Sequence, residues 1–234
     1  MKNVFFFAPH QDDELTNLGA AICADIDAGN EVFCVLCTDG GASGARLLIG
    51  DNGACAWHEG DHVFPMSRDD FSAARDREFI ASCLAMGLKR ENIIVSPCRG
   101  KDSSLKLEEA EKIILDATAS FPPESVVVKT LYPLARGKQN PDHTALGMAA
   151  KQLFSRGCFS SLELYYEMIL LPADDVQLFT MIPAPSQREK LLAACAEYGL
   201  WAPEAGRFAV GRHSVFDEFS DFERKPFSYL VKSL

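Results

Sequence analysis

Residues 8–14 read APHQDDE, which sets one imidazole and three carboxylates into the five positions 10–14. An imidazole nitrogen and a carboxylate oxygen are ordinary ligands for a divalent metal, zinc above all. His10 and Asp13 stand three apart, a spacing that a turn or first helical turn can bring to one side. A catalytic zinc keeps a position for water, and a further ligand from a distant segment would tie two parts of the chain together at the ion. The histidines available are His10, His58, His62, His143 and His213. His143, in NPDHTALG, opens a helical pattern and is the best placed. His58 and His62, in HEGDH, have the spacing of the zincin helix, but Gly60 and weak periodicity argue against a helix there. His213, in GRHSVF, could serve the core, the surface or a substrate. The plainer reading of Asp12 and Asp13 is that acids at a helix start cap it and meet its dipole.

Elements of two kinds must position these groups. NVFFFA (3–8) is continuously apolar, as in a strand buried on both faces. Leu15, Leu18, Ile22 and Ile26 follow at helical spacing and predict a helix over 15–28. EVFCVLC (31–37) predicts the next strand, so the N-terminus reads as a βαβ unit. Residues 39–67 form a long glycine-rich excursion of the kind that serves function in a compact domain. Helical patterns return at 69–86, 104–121, 141–155 and 186–198, and apolar runs at 92–97, 125–133 and 162–171. The tail after 198 is aromatic and without clear periodicity. Alternation of this kind predicts a single α/β domain over 1–234, with a motif-bearing core at 1–171 and a C-terminal extension at 172–234. The expected architecture is Rossmann-like: a mostly parallel sheet with helices on both faces. Such folds bind ligands at the carboxyl ends of the strands. PHQDDE, TDGG and NPDH all fall there.

Composition narrows the function. The 234 residues are 47% hydrophobic and 24% charged, with a formal net charge of −10. An acidic chain without a basic run is a poor partner for nucleic acid. No apolar segment approaches the length of a membrane span, and the short N-terminal apolar run is no secretion signal, so the chain reads as cytoplasmic. The eight cysteines sit in apolar segments, as reduced core residues do. Cys34 and Cys37, in CVLC, point to opposite faces of a strand and read as packing. A nucleotide site is disfavoured, because the first turn carries carboxylates in place of the glycines that admit a pyrophosphate.

APHQDDE, then TDG, then RDRE ahead of LAMGL, then PDH, together resemble the PIG-L/LmbE-like family of zinc-dependent de-N-acetylases. The pattern spans roughly residues 3–155, and QREKLLAACAEY is similar to the family's late helix. The resemblance implies one zinc per chain, held by His10, Asp13 and His143. It implies that Asp12 is the general base and that Asp142 orients a histidine. Arg75 matches an arginine that faces substrate; a plainer reading pairs it with Glu78 or a neighbouring acid. Asp39 and Arg136, at other strand ends, are further candidates for substrate binding. Two positions depart from the family. Gln11 stands where proline is frequent, at a position expected to contribute mainly backbone shape. Asn140 stands where many members have histidine; it is a candidate catalytic residue that can donate to an oxyanion but cannot act as an acid near neutral pH. In its place Arg136, Lys138 or His213 could be recruited. The implied activity is removal of an acetyl or other acyl group from an amino sugar or similar small polar amide. The alternative is a metal-dependent carbohydrate-binding protein with weakened catalysis.

Overall fold

In the computed structural model, residues 1–51, 62–134, 140–167 and 176–232 are described. The NVFFFA run forms β1 (Asn3–Ala8), buried throughout after Asn3. Its side chains alternate between two cores: Val4, Phe6 and Ala8 face one, Phe5 and Phe7 the other. That is why the run is apolar at every position. β1 lies between β2 (Glu31–Thr38) and β4 (Val126–Leu131), both parallel to it. β3 (Ile93–Gly100) extends the sheet beyond β2, and β5 (Ser161–Tyr166) extends it beyond β4. Two short strands complete it, β9 (Ser228–Val231) and, outside it, β6 (Leu178–Met181), joined by antiparallel pairing. The order is β3-β2-β1-β4-β5-β9-β6. The chain builds outward from β1 first on one side and then on the other. The direction therefore reverses between β1 and β4, where sheets of this kind open a crevice at their carboxyl ends.

Helices cover both faces, as expected. α2 (Gly19–Asp27), α4 (Arg68–Met86), α7 (Pro185–Glu197) and α9 (Phe216–Arg224) contribute to the first core. α5 (Leu107–Thr118) and α6 (Pro141–Ser155) contribute to the second. Cys34 and Cys37 fall in opposite cores. The seven cysteines among the described residues are free.

Three details differ from expectation. The helix over 15–28 is two helices, α1 (Asp13–Thr16) and α2, because Asn17 turns its amide back to Asp13 Oδ1 at 2.9 Å. The glycine-rich excursion holds a short helix, α3 (Ala45–Gly50). The aromatic tail is ordered as a small hairpin, β7 (Trp201–Ala202) with β8 (Arg207–Phe208), then α8 (Val210–Ser214), α9 and β9. The C-terminal residues thus share the sheet and first core of the N-terminal ones. No described helix is long and apolar enough to cross a membrane.

Candidate metal centre

The turn after β1 carries His10 to Asp13 directly onto α1. Asp12 has φ 125°, a left-handed backbone that non-glycine residues rarely adopt. Its N–H donates to Glu14 Oε2 at 3.0 Å, and its carbonyl accepts from Leu15 and Thr16. Glu14 is fully buried, and its Oε1 accepts from Ser82 and Tyr198, each at 2.7 Å. A network reaching from α4 to the end of α7 thus fixes the strained turn. The strain lets neighbouring carboxylates point apart, so that Asp13 joins the histidines while Asp12 faces Arg75.

The second half of the site follows β4. Asn140 caps α6, its Oδ1 accepting from Asp142 N at 2.9 Å, and Pro141 takes the first helical position. This places Asp142 and His143 in the first turn, beside His10. His10 Nδ1 lies 3.0 Å from His143 Nε2. Asp13 Oδ2 lies 3.3 Å from the former and 3.2 Å from the latter.

The outer nitrogens determine what the inner ones are. His10 Nε2 faces Asp142 Oδ2 at 3.0 Å and Asp102 Oδ1 at 3.3 Å. His143 Nδ1 faces Glu167 Oε2 at 3.0 Å. Each outer nitrogen therefore carries a hydrogen, by assignment from its partners. In neutral rings that leaves lone pairs on both inner nitrogens, opposed at 3.0 Å beside a carboxylate oxygen. Such a trio repels itself unless a proton or a metal cation sits among it. Ligand atoms at zinc-bond lengths of about 2.0–2.1 Å on a tetrahedron are about 3.3–3.4 Å apart, close to the spacings here. The donor set fits a zinc-like divalent ion. A second cluster, His10 with Asp102 and Asp142, already has donors for its oxygens. Asp142 accepts from Ser103 N at 2.7 Å and Leu105 N at 2.9 Å, and Asp102 from Ala42 N at 2.9 Å.

Without an ion, charge alone strains the site. Burial would raise Asp13, but the His143 and His10 imidazoles hold its carboxyl far below the usual range. Burial would lower His143, yet Asp13 and Glu167 raise it to about 9. Burial pushes the Asp12 carboxyl up to about 6, against the pull of Arg75.

Around this centre lies a cavity of about 510 Å³. Asn140 lines it, as do Ala42 to Ala45 from the glycine-rich segment and His213 to Val215 from the C-terminal one. Arg75 also lines it, but its guanidinium is committed to Gln11 O at 2.6 Å, Gly40 O at 2.9 Å and Asp12 Oδ2 at 3.1 Å. Its acid partner is Asp12. Glu78, one turn on, instead accepts from Val210 N at 2.7 Å and Gly211 N at 3.0 Å at the start of α8.

Other expectations need correction. Asp39 is absent from the cavity wall. Its carboxylate accepts from Gly41 N and Asp102 N and pairs with Arg68, so it organises the loop after β2. Gln11 does more than shape the backbone. It is buried, donates to Asp76 Oδ1 at 2.8 Å, and lies so close to Gly40 that a Cβ there would meet its Oε1 at 2.0 Å. His62 sits beside His213 and is not part of the three-atom cluster. Arg136, Lys138 and His58 lie outside the described residues. Sequence reasoning missed Asp102, Glu167 and Glu218. Glu167 carried the one available signal, an acid just past the apolar run LELYY.

A family model described as PIG-L, GlcNAc-PI de-N-acetylase, matches residues 5–154. The chain belongs to the PIG-L family. The match runs from β1 through α6, the segment that carries both halves of the centre. No curated protein matches the chain. Among solved structures, a PIG-L chain of this shape resembles a deacetylase of the teicoplanin biosynthesis pathway in complex with teicoplanin, at 16% identity and TM-score 0.67 over 98% of this chain and 96% of that one. It resembles the N,N'-diacetylchitobiose deacetylase of Pyrococcus horikoshii, in complex with its inhibitor MPG, at 18% identity and TM-score 0.57 over 87% and 72%. It also resembles the 4-carboxy-2-hydroxymuconate hydratase of Pseudomonas putida at 13% identity and TM-score 0.53 over 99% and 95%. At these identities the likeness is one of fold.

Proposed function

We propose that this protein is a metal-dependent de-N-acylase that removes an acetyl group from an amino sugar or a similar small polar amide. His10, Asp13 and His143 would hold one zinc ion, and Asp12 would act beside it as general base. The observation that carries the reading is the trio of inward-facing donor atoms 3.0–3.3 Å apart, with an unliganded carboxylate one residue away. Membership of a family described by a de-N-acetylase supports it.

When bound, the ion supplies Lewis acidity, lowering the pKa of a water and polarising the acyl carbonyl. The remaining chemistry falls to the chain. Arg75 fixes Asp12 through Oδ2, which leaves Oδ1 to accept the proton of the attacking water. A carboxylate so placed can act as a base and then return the proton to the departing nitrogen. Asn140 gives its carbonyl to the α6 cap and cannot supply that proton; Asp12 is placed to serve both transfers, and His213 also lines the cavity. Asp142 and Glu167 hold the two imidazoles in the tautomers that direct lone pairs inward.

Acetate release from a panel of N-acetyl sugars, with and without chelator, tests the proposal. Chelator-sensitive release is expected. Asp12→Asn is expected to keep the metal and lose about 10²–10⁴-fold in kcat. No release by metal-loaded protein on any member would refute the hydrolase reading. Saturable sugar binding in that case would favour the weakened-binder reading, which the loss of an acid at position 140 motivates. Zinc loss in Asp12→Asn would make Asp12 a ligand.

A further inference from the structure

Part of the cavity wall, including Ser214 and Glu218, lies beyond the residues that match the family model. Glu218 stands on α9, whose position is fixed by the fully buried Phe219 and Phe222. The Phe219 ring packs on Tyr198 at 5.0 Å between centroids, and α9 lies against α1, which begins at Asp13. Glu218 is thus held at the cavity by packing.

The other carboxylates of the described wall have partners in the protein. Asp12 meets Arg75, Asp13 and Asp102 meet imidazoles, and Glu167 meets His143. Glu218 alone among them makes no hydrogen bond or ion pair within the protein. Glu218 is half-buried, and burial, then the charges of Asp12, Asp13 and Glu167, push its carboxyl up to about 8. A half-buried carboxylate among like charges gains more from a cationic partner than a freely solvated one does. Among the described lining residues the only guanidinium or ammonium is that of Arg75, already committed on three sides. Glu218 therefore offers a cationic group a carboxylate that no described residue of the wall engages.

We propose that Glu218 selects the substrate by receiving an ammonium group carried elsewhere on it, so that the preferred substrate is a cationic, partly N-acylated amino sugar. The inference rests on the hydrolase reading above for the word substrate, and on the unpartnered carboxylate for its charge.

The test uses a matched pair: neutral N,N'-diacetylchitobiose and its mono-N-acetyl form, which carries one free amine. Zinc-loaded wild type is expected to favour the cationic member by tenfold or more in kcat/KM, mainly through KM. Glu218→Gln should bring the ratio toward one, and Glu218→Lys should turn it toward the neutral member. Metal content and circular dichroism verify that both variants fold. Equal ratios in wild type and Glu218→Gln, or a wild-type preference for the neutral member, would overturn the inference. Calorimetry with glucosamine and N-acetylglucosamine separates the two readings. A Glu218-dependent preference for glucosamine without acetate release from either chitobiose or any other N-acetyl sugar of the panel would refute the hydrolase reading and sustain this one. Hydrolysis without that preference would do the reverse.

Discussion

His10 and His143 bring Nδ1 and Nε2 to 3.0 Å, and His62 and His213 bring two Nε2 atoms to 3.1 Å. The distances are alike, but the surroundings differ. In the first pair both outer nitrogens donate to carboxylates, and Asp13 adds an oxygen 3.2–3.3 Å from both inner ones. In the second pair His213 Nδ1 faces the carbonyl of Ala209 at 2.8 Å, and Trp201 stands against both rings at 5.3 and 5.6 Å. Among the described residues no third ligating atom completes it. One imidazole can donate to the other. Among the described residues, only the first pair is completed by a third ligating atom. What distinguishes the first pair is the set of acids that aims its lone pairs inward.

The largest effect expected from breaking this contrast is in metal content. His10→Ala should reduce bound zinc from one per chain to a small fraction and activity to background. His213→Ala should leave zinc at one per chain. Elemental analysis after dialysis reads both, and equal loss in the two variants would erase the distinction. A smaller effect is expected one shell out. Asp142→Asn keeps the shape but weakens the hold on His10 Nε2–H, and should cost about 10–100-fold in zinc affinity. Competition with a chromophoric chelator measures it, and an unchanged affinity would show that the inward lone pair needs no acid behind it.

The smallest effect on the metal centre is expected at Glu78, which anchors the start of the helix carrying His213. Burial raises its carboxyl from an ordinary 4.5 to about 7, against the two backbone N–H donors. The folded chain then keeps a proton that the unfolded chain has released. Stability from this group is therefore greatest below about pH 4.5 and declines as pH rises to about 7, by a total on the order of 3 kcal/mol. Glu78→Gln should remove that decline, so the variant gains on wild type between the two pH values. Urea unfolding across that range reads the difference, and parallel pH profiles would contradict the assignment.

The two regions also differ in how far the sequence revealed them. The β1 strand was legible because burial on both faces makes every position apolar, and the turn after it because its chemistry lies in consecutive residues. His143 was legible because a proline and a cap mark where α6 begins. Asp102 and Glu167 were not, since each is a single acid brought to a histidine by the sheet and no spacing within the chain announces it. The C-terminal wall was least legible. α8 and α9 are short, β6 and β9 are four residues each, and their places depend on long-range contacts such as Glu78 with Val210. The break between α1 and α2 was hidden for a related reason: the apolar period continues through Asn17, while the interruption comes from its side chain reaching Asp13.

The central claim is that two distant segments share one divalent ion with a free carboxylate beside it. Anomalous diffraction at the zinc edge, on crystals of protein purified without added metal, tests it most directly. The account predicts a single peak per chain bounded by His10 Nδ1, Asp13 Oδ2 and His143 Nε2, with Asp12 turned to Arg75 and not ligated. A peak at His62 and His213, a peak ligated by Asp12, or chelator-resistant activity from protein without a peak would contradict it.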